Sequence, residues 1–455
     1  MDWGRRLFTL FLAAGIALPC TTHGVDSTAI PSSDTPQEWV VVFVHGIMSI
    51  KPHITFGNIT RFFEDQIRYT QYARTIKTMR NDHHFFKNQA MQERGLVKVD
   101  IANKSPGNSA GALGYVMNGM ERLAGVKNRK NHYYTYGWSG LLSQSSRYRE
   151  AARFFHDLQE LVKSFKRPVN VRVIGYSHGG CVSLELAAAQ RDIYPDSPLK
   201  IDELVLIATP IQHAAAQLVA SPLFKRVYNL HSRHDRVQRI DIFNPNRYLS
   251  DRLFEPCNGF SLPEKIIQVE LKLIRNHSSV TPGTVRHEHL GNFENPRIVE
   301  GYHRLLTDAS PGHGEVWFFG WTPQFYRKSF PLYPLPMISV LPFLQRHLSL
   351  MHGGEAPRHS IIVADVRPDY GTILFKRKYN KRTCLLSKES FATYNQLRTL
   401  TEGISPYIPK SYSKADYMKH IDIASREARR RYKEKKKRFK GKNPPLSRSC
   451  AHKMP

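Results

Sequence analysis

The hydrophobic pattern changes period along the chain. Residues 39–44 (WVVVFV) are continuously apolar and mostly β-branched, as in a strand buried on both faces of a parallel sheet, and the run stops at His45-Gly46. Residues 59–79 carry helical spacing, broken by Asp82-His83-His84; residues 96–101 suit a short strand, and the Gly-rich residues 105–119 read as loop. Regular alternation follows. A strand at 132–137 (HYYTYG) precedes a helix over 146–165, with Ala151, Phe154, Phe155, Leu158, Leu161 and Val162 at helical spacing. Then come a strand at 169–174, an Ala-rich helix at 181–190, strands at 204–208, 227–230 and 266–274, and a helix at 296–306. Strands alternating with helices predict an α/β fold, a mostly parallel sheet with helices on both faces.

The two ends read differently. Arg5-Arg6 followed by the apolar residues 7–18 has the length and flanks of an export signal, too short to span a bilayer comfortably. The expected organisation is an export signal at 1–22, a Ser/Thr/Pro linker at 23–37, an α/β domain at 38–309 with 55–126 as a cap insertion, a C-terminal extension at 310–424 and a basic tail at 425–455. Residues 330–350 are apolar but carry Pro331, Pro334, Pro336 and Pro342, so they do not form one straight membrane helix. Residues 360–366 (SIIVADV) suit one further strand. The expected location is secreted or membrane-associated.

Charge and cysteine content narrow the partners. The 455 residues hold 66 Lys and Arg against 38 Asp and Glu, a net charge of +28. Such an excess favours anionic surfaces, an acidic membrane above all. Nucleic acid is not expected, because the basic run RRRYKEKKKRFK has few aromatics and no accompanying recognition motif. Five scattered cysteines without CxxC pairing argue against a zinc or iron–sulfur site, and no metal or cofactor is expected.

The candidate chemistry lies at Gly175-Tyr176-Ser177-His178-Gly179. A Gly-x-Ser-x-Gly motif appears by chance in a chain this long about one time in six. Its placement carries more weight: it follows the strand 169–174 without a gap and opens the helix at 181. A turn that sharp strains the nucleophile's backbone and leaves room only for glycine beside it. His45-Gly46-Ile47-Met48 follows the first strand in the same way. Backbone N–H groups of Ile47 and His178 would form an oxyanion hole there.

With these motifs the chain resembles the α/β-hydrolase superfamily, in its lipase and esterase branch, from about residue 40 to 306. The resemblance implies an α/β-hydrolase fold and a Ser-Asp-His order along the chain. By that likeness Ser177 is the nucleophile and Asp235, in the turn after strand 227–230, is the acid, with Asp241 as runner-up. His289 is the base, preferred over His287. A lipid-like ester is the expected substrate. The same triad would serve an acyltransferase, and a non-catalytic membrane-binding or effector protein that keeps the fold is the third reading.

Overall fold

The computed structural model describes residues 36–47, 65–67, 70–80, 94–106, 108–233, 235, 238, 250–256, 261–273, 313, 340–350, 359–365, 372–379, 382–390, 394–407 and 414–439. The described elements belong to one unit, Gln37–Pro455. The export signal, most of the linker, the helix at 296–306, Asp241, His287 and His289 lie outside the described residues.

Strand β1 (Gln37–Val44) shows why its sequence is apolar throughout. It pairs in parallel with β3 on one side and β4 on the other, so both of its faces are covered. Trp39, Val41 and Phe43 enter one core cluster; Val40, Val42 and Val44 enter the other. Burial of each such side chain is worth about 1.5–3 kcal/mol. In chain order, α1 (Gln71–Arg80), β2 (Gly95–Lys98), α2 (Ser109–Leu123), β3 (Arg129–Gly137), α3 (Gln144–Lys163) and β4 (Asn170–Tyr176) follow. Next come α4 (His178–Leu184), α5 (Leu186–Ile193), β5 (Ile201–Ile207), β6 (Ile211–Gln212), α6 (His213–Ala216), β7 (Phe224–His231), β8 (Ser250–Asp251) and β9 (Ile266–Leu273). The chain continues through α7 (Leu341–Leu350), β10 (His359–Asp365), β11 (Thr372–Tyr379), β12 (Arg382–Ser390), α8 (Tyr394–Ile404) and α9 (Lys414–Phe439).

The main sheet has the order β12-β11-β10-β9-β7-β5-β4-β1-β3-β2. From β10 to β3 all neighbours run parallel; β2, β11 and β12 are antiparallel at the edges. Side chains of α2 and α7 join one core cluster, with Leu400 and Ile404 of α8; those of α3 and α5 join the other. The fold is therefore α/β, with helices on both faces of a mostly parallel sheet.

One expectation is corrected. Residues 105–119 are not a loop: Ser109 to Leu123 form the buried helix α2. Its glycines permit close packing, since a Cβ on Gly119 would fall 2.3 Å from Leu400 Cδ2 and one on Gly114 3.1 Å from the Tyr133 ring. The expected extension after 310 contributes to the sheet and the core. Strand β10 pairs with β9 inside the sheet, and Val340, Leu341, Phe343 and Leu344 are core residues.

Arg172 on β4 interrupts the apolar pattern and is fully buried. Its Nε donates to Glu203 Oε2 at 2.6 Å, Nη1 to Glu121 Oε1 at 3.1 Å and Nη2 to Gln345 Oε1 at 3.3 Å. Gln345 in turn donates to Glu203 Oε1 at 2.7 Å. Burial alone would pull the guanidinium's pKa down; Glu203 and Glu121 outweigh it, and the net shift is upward. The network ties β4 and β5 to α2 and α7. Arg172→Met leaves two carboxylates buried without their shared cation, and should cost about 3–5 kcal/mol in urea unfolding. Adding Glu203→Gln should recover part of that loss.

Candidate functional site

The end of β4 makes a sharp turn into α4, and Ser177 sits on it with φ 53° and ψ −131°. The turn is held by Ser177 N–H donating to Ile207 O at 2.9 Å and by Ser177 O accepting from Gly180 N–H at 2.9 Å. Glycine is required alongside: a Cβ on Gly179 would stand 2.3 Å from His45 O, and one on Gly180 1.9 Å from Thr209 Oγ1. Strands β1, β4 and β5 thus converge on the serine.

Ser177 Oγ lies 2.9 Å from His313 Nε2, and His313 Nδ1 lies 2.7 Å from Asp235 Oδ2. Asp235 is fully buried. A carboxylate only accepts, so the Nδ1 proton faces Asp235 and Nε2 is left to accept the serine proton. Asp235 follows β7 and is fixed on its other side, with Oδ1 accepting from Gln238 N–H at 3.2 Å and its carbonyl accepting from Arg252 Nε at 2.9 Å. Tyr176 steadies the histidine: its hydroxyl donates to His313 O at 3.0 Å, and the two rings are 5.1 Å apart.

The structure thus brings together Ser177 and Asp235 of the residues singled out by sequence, with His313 between them. His313 was missed. It lies four residues beyond the expected domain end at 309, and its only sequence signal is the turn Pro311-Gly312-His313-Gly314.

The other two named residues flank the serine. His178 is the first residue of α4, next to Ser177. Ile47 follows Gly46, where a Cβ would stand 3.0 Å from Ser177 Cβ, so this loop is packed directly on Ser177. The loop is locked by His45. Its Nδ1–H donates to Gly46 O at 2.7 Å, its Nε2 accepts from Trp138 N–H at 3.2 Å, and its carbonyl accepts from Trp138 Nε1 at 2.6 Å. The His178 ring accepts at Nδ1 from Arg147 Nη1 at 3.0 Å; Arg147 Nη2 also donates to Gln144 and Gln212. Burial holds His45 well below the usual histidine range, with the Arg80 charge adding to it. Burial does the same at His178, reinforced by Arg147 and then His313.

Among the described residues no group of three or more His, Cys, Asp or Glu could hold a metal ion, and no helix is long and apolar enough to cross a membrane. Cys181 is a buried thiol directed at Pro210 O, 3.3 Å away.

No family model matches the chain, and no curated protein does. Among solved structures it is similar to a protein of Lactobacillus plantarum WCFS1 described as a candidate cell surface hydrolase. The identity is 14% over 57% of this chain and 76% of that one, with a TM-score of 0.20.

The two buried neutral histidines give acid sensitivity a definite sign. In the unfolded chain each imidazole takes up a proton near pH 6.5. In the folded chain each does so only well below that. Between those limits the unfolded state binds more protons, so stability falls as pH drops below about 6.5, by up to about 1.4 kcal/mol per pH unit for each histidine. Melting temperatures recorded from pH 7 to 5 should fall, and His178→Asn should make the fall shallower.

Proposed function

We propose that the chain is a serine hydrolase of the α/β-hydrolase type that cleaves a carboxylic ester through an acyl-enzyme. The observation that carries this reading is the unbroken line Ser177 Oγ, His313 Nε2, His313 Nδ1, Asp235 Oδ2, at 2.9 and 2.7 Å, on a strained turn between strand and helix. Supporting it is the order along the chain: serine after β4, aspartate after β7, histidine after β9.

In this chemistry His313 Nε2 removes the Ser177 proton as Oγ attacks the ester carbonyl. Asp235 stabilises the imidazolium and keeps its tautomer. The N–H groups of Ile47 and His178 receive the oxyanion, and their preorganisation by the His45–Trp138 lock supplies the electrostatic stabilisation. His313 then protonates the departing alcohol and activates the water that releases the acid. A lipid-like substrate at an acidic membrane surface is consistent with the long basic helix α9, on which Arg426, Arg429, Arg430, Arg431, Lys433 and Lys437 are exposed.

Labelling by a fluorophosphonate tests the reading. Wild type should label; Ser177→Ala and His313→Ala should not, whereas His289→Ala should label like wild type. On a cleaved ester, Ser177→Ala and His313→Ala should each lower kcat by about 10⁶-fold and Asp235→Asn by about 10⁴-fold. A folded Ser177→Ala protein with wild-type turnover would refute the mechanism.

A further inference from the structure

A recess lies at the edge of the sheet where β3 ends. It has a volume of about 240 Å³ and is lined by Arg94, Ser139, Ser146, Arg149, Glu150 and Arg153, with Leu141 at its side. Ser139 stands two residues beyond the end of β3, and Arg94 just before β2. The others are spaced i, i+3, i+4 and i+7 on α3, which brings them to one face of that helix. The carboxyl ends of parallel strands are where open α/β sheets bind their ligands.

Three features give this recess a chemical preference. First, three arginines line the recess with a single carboxylate; Arg149 donates to Ser145 O and Ser146 Oγ at 3.2 Å each, while Arg94 and Arg153 stand nearest Glu150. Glu150 stands 4.0 Å from Arg94 and 3.9 Å from Arg153, at the outer limit of an ion pair, so neither cation is closely matched by it. The buried Arg80 adds positive field from behind; burial and then Arg94 pull it down to about 10, so it stays charged at neutral pH. Second, Ser139 lines the recess at 6% exposure and its Oγ has no hydrogen-bond partner among the described residues. Buried hydroxyls are almost always paired, and one that is not marks a place for a ligand, an ion or water. Third, the volume lies below the roughly 300–1,000 Å³ of sites that enclose whole small-molecule ligands, and suits a compact polar group.

We propose that this recess binds the phosphate group of a phosphate monoester. Guanidinium forks match phosphate oxygens in pairs, and the Ser139 hydroxyl supplies one more donor. Glu150 selects within the anions. A carboxylate only accepts, and the monoanion of a phosphate monoester, the minor form at neutral pH because its second pKa is near 6, carries a P–OH that can donate to Glu150. Sulfate carries none at neutral pH and meets Glu150 as a like charge. The proposal does not rest on the serine chemistry, although Ser139 and Ser146 adjoin Trp138 and Arg147 in the chain.

The test is titration of the full-length protein with inorganic phosphate and with sulfate at matched ionic strength, followed by calorimetry. Wild type and Ser177→Ala should both bind phosphate saturably and more tightly than sulfate. Arg94 and Arg153 are well exposed, at 57% and 66% of their side chains, so the double variant Arg94→Gln/Arg153→Gln should keep the wild-type melting temperature while weakening phosphate at least tenfold. Glu150→Gln should remove the preference over sulfate. The source of the phosphate follows from two further arms. Competition by glycerol phosphate alone assigns a soluble ester; capture by phosphatidic acid vesicles that the double variant loses assigns a lipid; either supports the site. Phosphate binding that does not saturate, that survives in the double variant, or that sulfate equals in wild type would overturn it.

Discussion

The rest of the site depends on one backbone conformation, that of Ser177 at φ 53°. A non-glycine residue held there costs about 1–3 kcal/mol and persists only where its surroundings over-determine it. Here they do. The peptide groups on either side of the serine are tied to Ile207 and Gly180. The backbones of Gly179 and Gly180 press on His45 and Thr209 closely enough to exclude any side chain. His45 is fixed by Trp138, which binds its carbonyl and its ring. Distortion at the turn is thus sustained by the ends of β1, β3, β4 and β5 together, and relaxation would have to disturb all of them.

Two buried arginines divide the labour around β4. Arg172, in the strand, is matched by Glu203 and Glu121 and acts as an internal clamp between sheet and helices. Arg147, on α3, meets neutral partners, Gln144, Gln212 and the His178 ring. Its charge acts on the site: after burial, it is a reason the His178 imidazole stays unprotonated.

The sequence displayed the central strands because burial on both faces forces an unbroken apolar run, as in β1. The turn at Ser177 was equally legible, since its glycines follow from close backbone approach. The serine and aspartate it singled out stand on opposite sides of one imidazole. What was hidden follows from contacts distant in sequence. The glycines of α2 read as loop because their reason for being small, Leu400 and Tyr133, lies elsewhere in the chain. His313 was hidden likewise: a lone histidine in a glycine turn has no periodicity, and what holds it is Tyr176 and Asp235, 137 and 78 residues away. Strand β10 could be read as a strand from its residues, but its parallel pairing with β9 could not.

The separation of Ser177 from His313 also has a meaning in time. The chain is made from its N terminus, and the serine's hydrogen-bond partner comes 136 positions later. Through that interval the strained turn can already form, because all of its local supports precede residue 231. A chain ending before residue 313 carries the residues that support the turn and Asp235, but lacks the imidazole that joins them, so the line from Ser177 through His313 to Asp235 can close only after β9 has been made.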